Sequence, residues 1–107
     1  MDNRFMRVIV FFDLPVSTKQ KRKEYAEFRK NLIKQGFLMI QYSVYSRTVR
    51  NSDDALKYSK IIKTFLPKEG SVRILTVTDK QYNSIEIVVG EKLEEENLLD
   101  SRDVVEL

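Results

Sequence analysis

Residues 6–12, Met-Arg-Val-Ile-Val-Phe-Phe, are mostly β-branched and aromatic, are closed off by Asp13 and Pro15, and predict a first strand. The period then changes. From Ser17 or Thr18 the apolar positions Tyr25, Phe28 and Leu32 recur at helical spacing, with Gly36 where a helix C-cap belongs. Phe37 to about Thr48 is strand-like again, and its length allows a bend near Gln41-Tyr42-Ser43 into two strands. Ser52-Asp53-Asp54 supplies an N-cap and first-turn acids for a second helix, with Ala55, Tyr58, Ile62 and Phe65 on its face and an end at Pro67. Ser71 to Thr78 and Ile85 to Val89 predict the last strands, giving the order βαββαββ.

Two helices crossing between antiparallel strands form the split βαβ pattern, with both helices on one face of the sheet. The expected fold is α+β: a ferredoxin-like βαββαβ unit over residues 1–90 with an additional C-terminal strand, followed by an acidic docking tail over 91–107. Two helices cover one face only, yet both faces carry apolar residues. Val8, Val10 and Phe12 point one way and Ile9, Phe11 and Asp13 the other, and the later strands repeat this. An apolar patch of that size predicts a homodimer packed sheet to sheet.

The chain has 107 residues, with neither cysteine nor histidine. That excludes a disulfide framework, a thiolate nucleophile, an imidazole base and a zinc site of nitrogen and sulfur ligands. Chemistry is left to carboxylates, lysines, tyrosines, serines or a carboxylate-bound metal. No apolar run approaches the ~20 residues of a membrane span, so a soluble, cytoplasmic protein with no membrane partner is expected. Charge is segregated: residues 1–68 hold 15 Lys or Arg against 6 Asp or Glu, and residues 69–107 hold 4 against 10. The first part suits a polyanion.

Three groups of residues carry candidate chemistry. Asp13, at the C-terminal end of the first strand, reads either as an Asx-type turn or helix cap before Pro15, or as a metal ligand. One carboxylate is too few for Mg2+ or Mn2+, but a two-fold dimer supplies a second copy, and phosphate oxygens would complete a site able to activate water for phosphodiester cleavage. Lys19, Lys21, Arg22 and Lys23, then Arg29, Lys30 and Lys34, lie on or beside the first helix with only Glu24 and Glu27 to balance them. They read as a solvated face or as a grip on nucleic-acid backbone, which Arg47 and Arg50 would extend. Tyr42 and Tyr45 read as base-stacking residues or, more ordinarily for strands, as core. There is no Gly-rich phosphate loop and no RRM-type aromatic signature.

The motifs VIVFFDLP, KQKRKEYAEFRKNLIKQGF and QYSVYSR, in that order and spacing between Met6 and Gly90, resemble the Cas2 family of CRISPR-associated proteins. The Asp-Leu-Pro form looks like the variant from systems with a single large effector nuclease. The resemblance implies a ferredoxin-like homodimer whose Asp13 residues face each other, and which bridges two dimers of the CRISPR integrase while foreign double-stranded DNA is held for insertion into the repeat array. It also implies a metal-dependent nuclease acting on RNA or double-stranded DNA through the strand-end aspartate. Only Asp13 carries over by position; the lysines and arginines rest on charge density. The expected function is therefore a DNA-binding adaptor in spacer acquisition, with a divalent-metal endonuclease as the alternative, and a basic RNA-binding module of another system as the blander option.

Overall fold

The computed structural model describes residues 5–90. The elements are β1 (Met6–Asp13), α1 (Lys19–Lys34), β2 (Leu38–Gln41), β3 (Val44–Val49), α2 (Ser52–Ile62), β4 (Ser71–Thr78) and α3 (Asp79–Asn83). The four strands form one sheet in the order β2-β3-β1-β4, with every neighbouring pair antiparallel. This is the doubly split βαβ arrangement expected of a ferredoxin-like α+β fold.

Alternation along β1 decides which face is covered. Val8, Val10 and Phe12 are buried with Tyr45 and Val49 of β3, Phe28 and Leu32 of α1, and Ala55 and Ile62 of α2. Phe12 is the hub of this core, lying edge-on to Phe28 at 5.1 Å and stacked with Tyr45 at 5.7 Å. The opposite face carries Phe11, Leu38 and Leu75, which are 37%, 49% and 48% exposed. The apolar face that the helices leave bare is therefore real within one chain.

One end of that face has a cover the sequence did not foreshadow. α3 folds back after β4, and its Tyr82 ring lies 4.0 Å from the guanidinium of Arg7, whose Nε donates to Asp79 Oδ1 at 3.1 Å. Arg7 is buried there on the uncovered face, while its backbone pairs with Thr48 and Val77.

The helix ends follow local chemistry. Thr18 caps α1 by accepting from the Lys21 amide. At the other end Gly36, with φ +86, closes the helix as its amide donates to the Ile33 carbonyl and the Phe37 amide reaches back to Leu32. That pair of bonds is a Schellman closure, for which the left-handed glycine is suited. α2 differs from expectation at both ends. Its cap is Asn51, accepting from the Asp54 amide at 2.9 Å, so Ser52 is the first helical residue rather than the cap. The helix also stops at Ile62, leaving Phe65 and Pro67 in the following turns.

The strand expected at Ile85 to Val89 is not formed among the described residues. Ile85, Ile87, Val88 and Val89 are exposed instead, because neither free sheet edge is paired with them in this chain. The tail expected over 91–107 lies outside the described residues.

Candidate nucleic-acid and metal site

Asp13 ends β1 opposite Ser71, on the uncovered face and at its rim. It is exposed, and among the described residues its carboxylate has no hydrogen-bond or ion-pair partner. It does not form an Asx-type turn or cap α1, because Thr18 holds the cap position. Its backbone is confined from the other side. A Cβ at Gly70 would stand 2.6 Å from the Asp13 carbonyl oxygen, and Gly70 sits at φ +101, so glycine lets the chain pass close to the strand end.

A divalent cation needs several oxygen ligands. Among the described residues no three His, Cys, Asp or Glu side chains converge, so these residues do not by themselves assemble a metal centre around Asp13. Such a site would need ligands beyond the described residues of one chain.

The basic residues divide into four places. Lys19, Lys21, Arg22 and Lys23 occupy the start of α1, at the same end of the sheet as Asp13, and no acid shares the first turn. Lys21 lies 3.4 Å from Glu69 in the connection before β4, and Arg22 Nη1 donates to the Val16 carbonyl at 3.0 Å within the β1–α1 connection, while most of their donors remain free. Arg29 is exposed one helical turn beyond Tyr25 and forms no ion pair among the described residues. Arg50 lies at the far end of the sheet, next to α2, where its amide donates to Asp54 Oδ2 at 3.1 Å and its Nε lies 3.5 Å from the same oxygen.

Arg47 is held differently. It is half-buried on the helix side of β3, with its guanidinium 4.1 Å from the Tyr58 ring centroid and Nη2 donating to the Tyr58 hydroxyl at 2.6 Å. Its Nε is buried with no hydrogen-bond partner, and a Cβ on Gly36 would collide with the guanidinium. Arg47 is thus wedged between the α1 terminus and α2, and does not project from the turn with Arg50.

Two residues gain weight from the structure. Arg73 is exposed on the uncovered face opposite Phe11, one alternation from the Asp13–Ser71 pair. The strand alternation of β4 carried that signal once the register to β1 was known. The two tyrosines separate: Tyr45 is core at 1% exposure, whereas Tyr42 is 75% exposed at the β2–β3 turn. A hydrogen bond with Tyr25, then the charge of that same neighbour, holds the Tyr42 hydroxyl above the ordinary tyrosine pKa.

Fold and site together define a small ferredoxin-like protein with a basic helix start beside an unengaged strand-end carboxylate. The family described as CRISPR associated protein Cas2 matches residues 6–85, and the chain belongs to that family. It is similar to the CRISPR-associated endoribonuclease Cas2 of Ligilactobacillus salivarius, at 51% identity over 84% of this chain and 89% of that one. It is 52% identical to the protein of the same name from Treponema denticola, over 94% of this chain and 99% of that one. A solved structure described as the crystal structure of cas2 shares the fold, with a TM-score of 0.56 at 24% identity over 82% of this chain and 90% of the other. Among the described residues no helix is long and apolar enough to cross a membrane.

Proposed function

We propose that this protein acts in CRISPR spacer acquisition as a dimeric DNA-binding adaptor, bridging integrase dimers and holding foreign duplex DNA for insertion into the repeat array. The observation that carries the reading is the acid-free start of α1, where Lys19, Lys21, Arg22 and Lys23 stand together at the end of the sheet that carries Asp13. Cations grouped on a helix terminus neutralise phosphates without reading bases, which suits an adaptor that must accept any sequence. Phe11, Leu38 and Leu75 support the dimer, since a second copy laid on this face would remove them from water. Such a dimer doubles both the basic ridge and Asp13.

A second reading has its own support. The two relatives above are named endoribonucleases, and Asp13 is exposed without a side-chain partner among the described residues. In this reading the paired Asp13 carboxylates, together with substrate phosphate oxygens, hold Mg2+ or Mn2+, which supplies a Lewis acid and an activated water for cleavage of RNA or double-stranded DNA.

The deciding experiment is reconstituted spacer integration with the cognate integrase. It compares the parent with Asp13→Ala and with the Lys21→Glu, Arg22→Glu, Lys23→Glu triple variant. The adaptor reading expects Asp13→Ala to integrate normally and the triple variant to fail. Loss of integration in Asp13→Ala alone, with the assembled complex intact, puts the nuclease reading first.

A further inference from the structure

The β2–β3 turn ends in an aromatic side chain whose position the fold fixes from the core outward. Phe12 is buried, the Tyr25 ring lies 5.7 Å from it, and the Tyr42 ring stacks on Tyr25 at 6.2 Å with 22° between the planes. Tyr25 and Ser43 join their hydroxyls at 3.1 Å, and the Phe12 amide donates to the Ser43 carbonyl at 3.0 Å. Ser43 itself sits at φ +63, a left-handed turn conformation. One face of the Tyr42 ring is therefore backed by Tyr25, and the residue as a whole is 75% exposed.

The charge around this ring is one-sided. At about 100° per residue, Arg22, Ala26, Arg29 and Ile33 fall on a single flank of α1, bordering Tyr25. The two acids of the helix are on the other flank, where Glu24 and Glu27 join Gln20, Asn31, Phe65, Leu66 and Lys68 around a separate groove. Neither β2 nor its turn carries an acid, since the sequence from Leu38 to Ser43 is Leu-Met-Ile-Gln-Tyr-Ser. The ring is thus bracketed on α1 by Arg22 and Arg29, about 10 Å apart along the helix axis.

We infer that Tyr42 is a stacking platform for an unpaired base, with Arg22 and Arg29 taking the phosphates on either side of that nucleotide. An exposed, pre-positioned aromatic ring between cations is the composition that single-stranded nucleic acid selects, because every base has a π face and every linkage a charge. A duplex backbone would use the arginines and leave the ring idle. The inference rests on the nucleic-acid reading above and extends it: the protein engages a strand end or a displaced strand as well as duplex. The Ser43–Phe12 bond places the platform at the end of the sheet that carries Asp13.

The test uses the full chain and fluorescein-labelled 12-mers in anisotropy titrations: single-stranded RNA, single-stranded DNA, an abasic strand of the same length, and a duplex. Tyr42→Ala is expected to weaken binding of the base-bearing single strands about tenfold and to leave the abasic strand and the duplex unchanged. Tyr42→Phe is expected to bind as the parent does. The RNA and DNA arms show which sugar the platform prefers. A strand carrying 2-aminopurine should be quenched on binding the parent and Tyr42→Phe, and not on binding Tyr42→Ala. The inference is overturned if the parent binds base-bearing and abasic strands equally, or if Tyr42→Ala matches the parent on the single strands. An equal loss on duplex and abasic strand also overturns it, since that marks a general structural effect. Failure of the parent to bind duplex would instead count against the adaptor reading, so the two can fail separately.

Discussion

A methyl group at position 70 would stand 2.6 Å from the Asp13 carbonyl oxygen and 2.8 Å from Leu14 Cδ2, on a backbone at φ +101. Gly70→Ala is therefore expected to destabilise the protein by about 2 kcal/mol in urea unfolding, from the unfavourable φ and from displacing the strand end. If the nuclease reading holds, cleavage should fall in this variant although the carboxylate remains. Asp13→Ala is the complement: an exposed side chain without a partner among the described residues is removed, so the unfolding midpoint should stay close to the parent's while any metal-dependent cleavage is lost. The placement of Asp13 was legible because an acid ending a β-branched, aromatic run is pushed to a strand end. The different fates of Tyr42 and Tyr45 were not legible. Three positions apart around a turn of unknown geometry, the two rings share a sequence context, and only the left-handed Ser43 and the pairing of Tyr45 with Val10 separate a surface ring from a core ring. Arg47 was misleading for a similar reason: β3 alternation turns it toward the helices, where Tyr58 and Gly36 enclose it.

At the scale of elements, α1 combines two functions along one helix, with a core stripe of Phe28 and Leu32 and a cationic start. Reversing Lys21, Arg22 and Lys23 to glutamate should leave far-ultraviolet circular dichroism intact, weaken duplex binding, and make the dependence of log affinity on log salt shallower by about 0.9 for each phosphate that is no longer neutralised. α2 depends on its start. Asn51→Ala removes the cap on the Asp54 amide and should cost about 1 kcal/mol in unfolding. The Arg50 amide, and to a lesser degree its guanidinium, hold the Asp54 carboxyl below its ordinary pKa. A depressed carboxylate favours the fold above its unfolded pKa, and that contribution disappears as pH falls through the lower folded value. Asp54→Asn should accordingly lose stability at neutral pH and show a flatter acid limb in a denaturation series below about pH 4. The existence and order of the main elements could be read from period and capping residues. The cap itself slipped by one residue because Asn51 and Ser52 are both competent, and only the hydrogen bond to the Asp54 amide decides between them. The strand at 85–89 failed for a deeper reason: alternation reports which residues want burial, whereas a strand also requires edge pairing, and neither edge of this sheet pairs with these residues in this chain.

For the whole molecule, the bare face is the main prediction. Phe11→Glu with Leu75→Glu places charge in the middle of it, so sedimentation velocity should show a dimeric parent and a monomeric variant that retains its circular dichroism. A parent that sediments as a monomer at all accessible concentrations would remove the sheet-to-sheet dimer. The bare face was legible from β1 alone, since alternate positions on both sides are apolar while only two long helices are available. What could not be read was α3, whose five residues bring Tyr82 over Arg7 and so shelter one end of that face.

The two edges of the sheet are unequal. β2 offers four residues and a register irregularity between Met39 and Gln41, while β4 runs straight against β1 through eight consecutive pairs from Ser71 to Thr78. A short, kinked edge is a poor template for a further strand, and a long regular one is a good template. Strand addition to this sheet is therefore favoured along β4 over β2. Two copies joined β4 to β4 would turn only their short, irregular β2 edges outward, which disfavours growth into an open polymer.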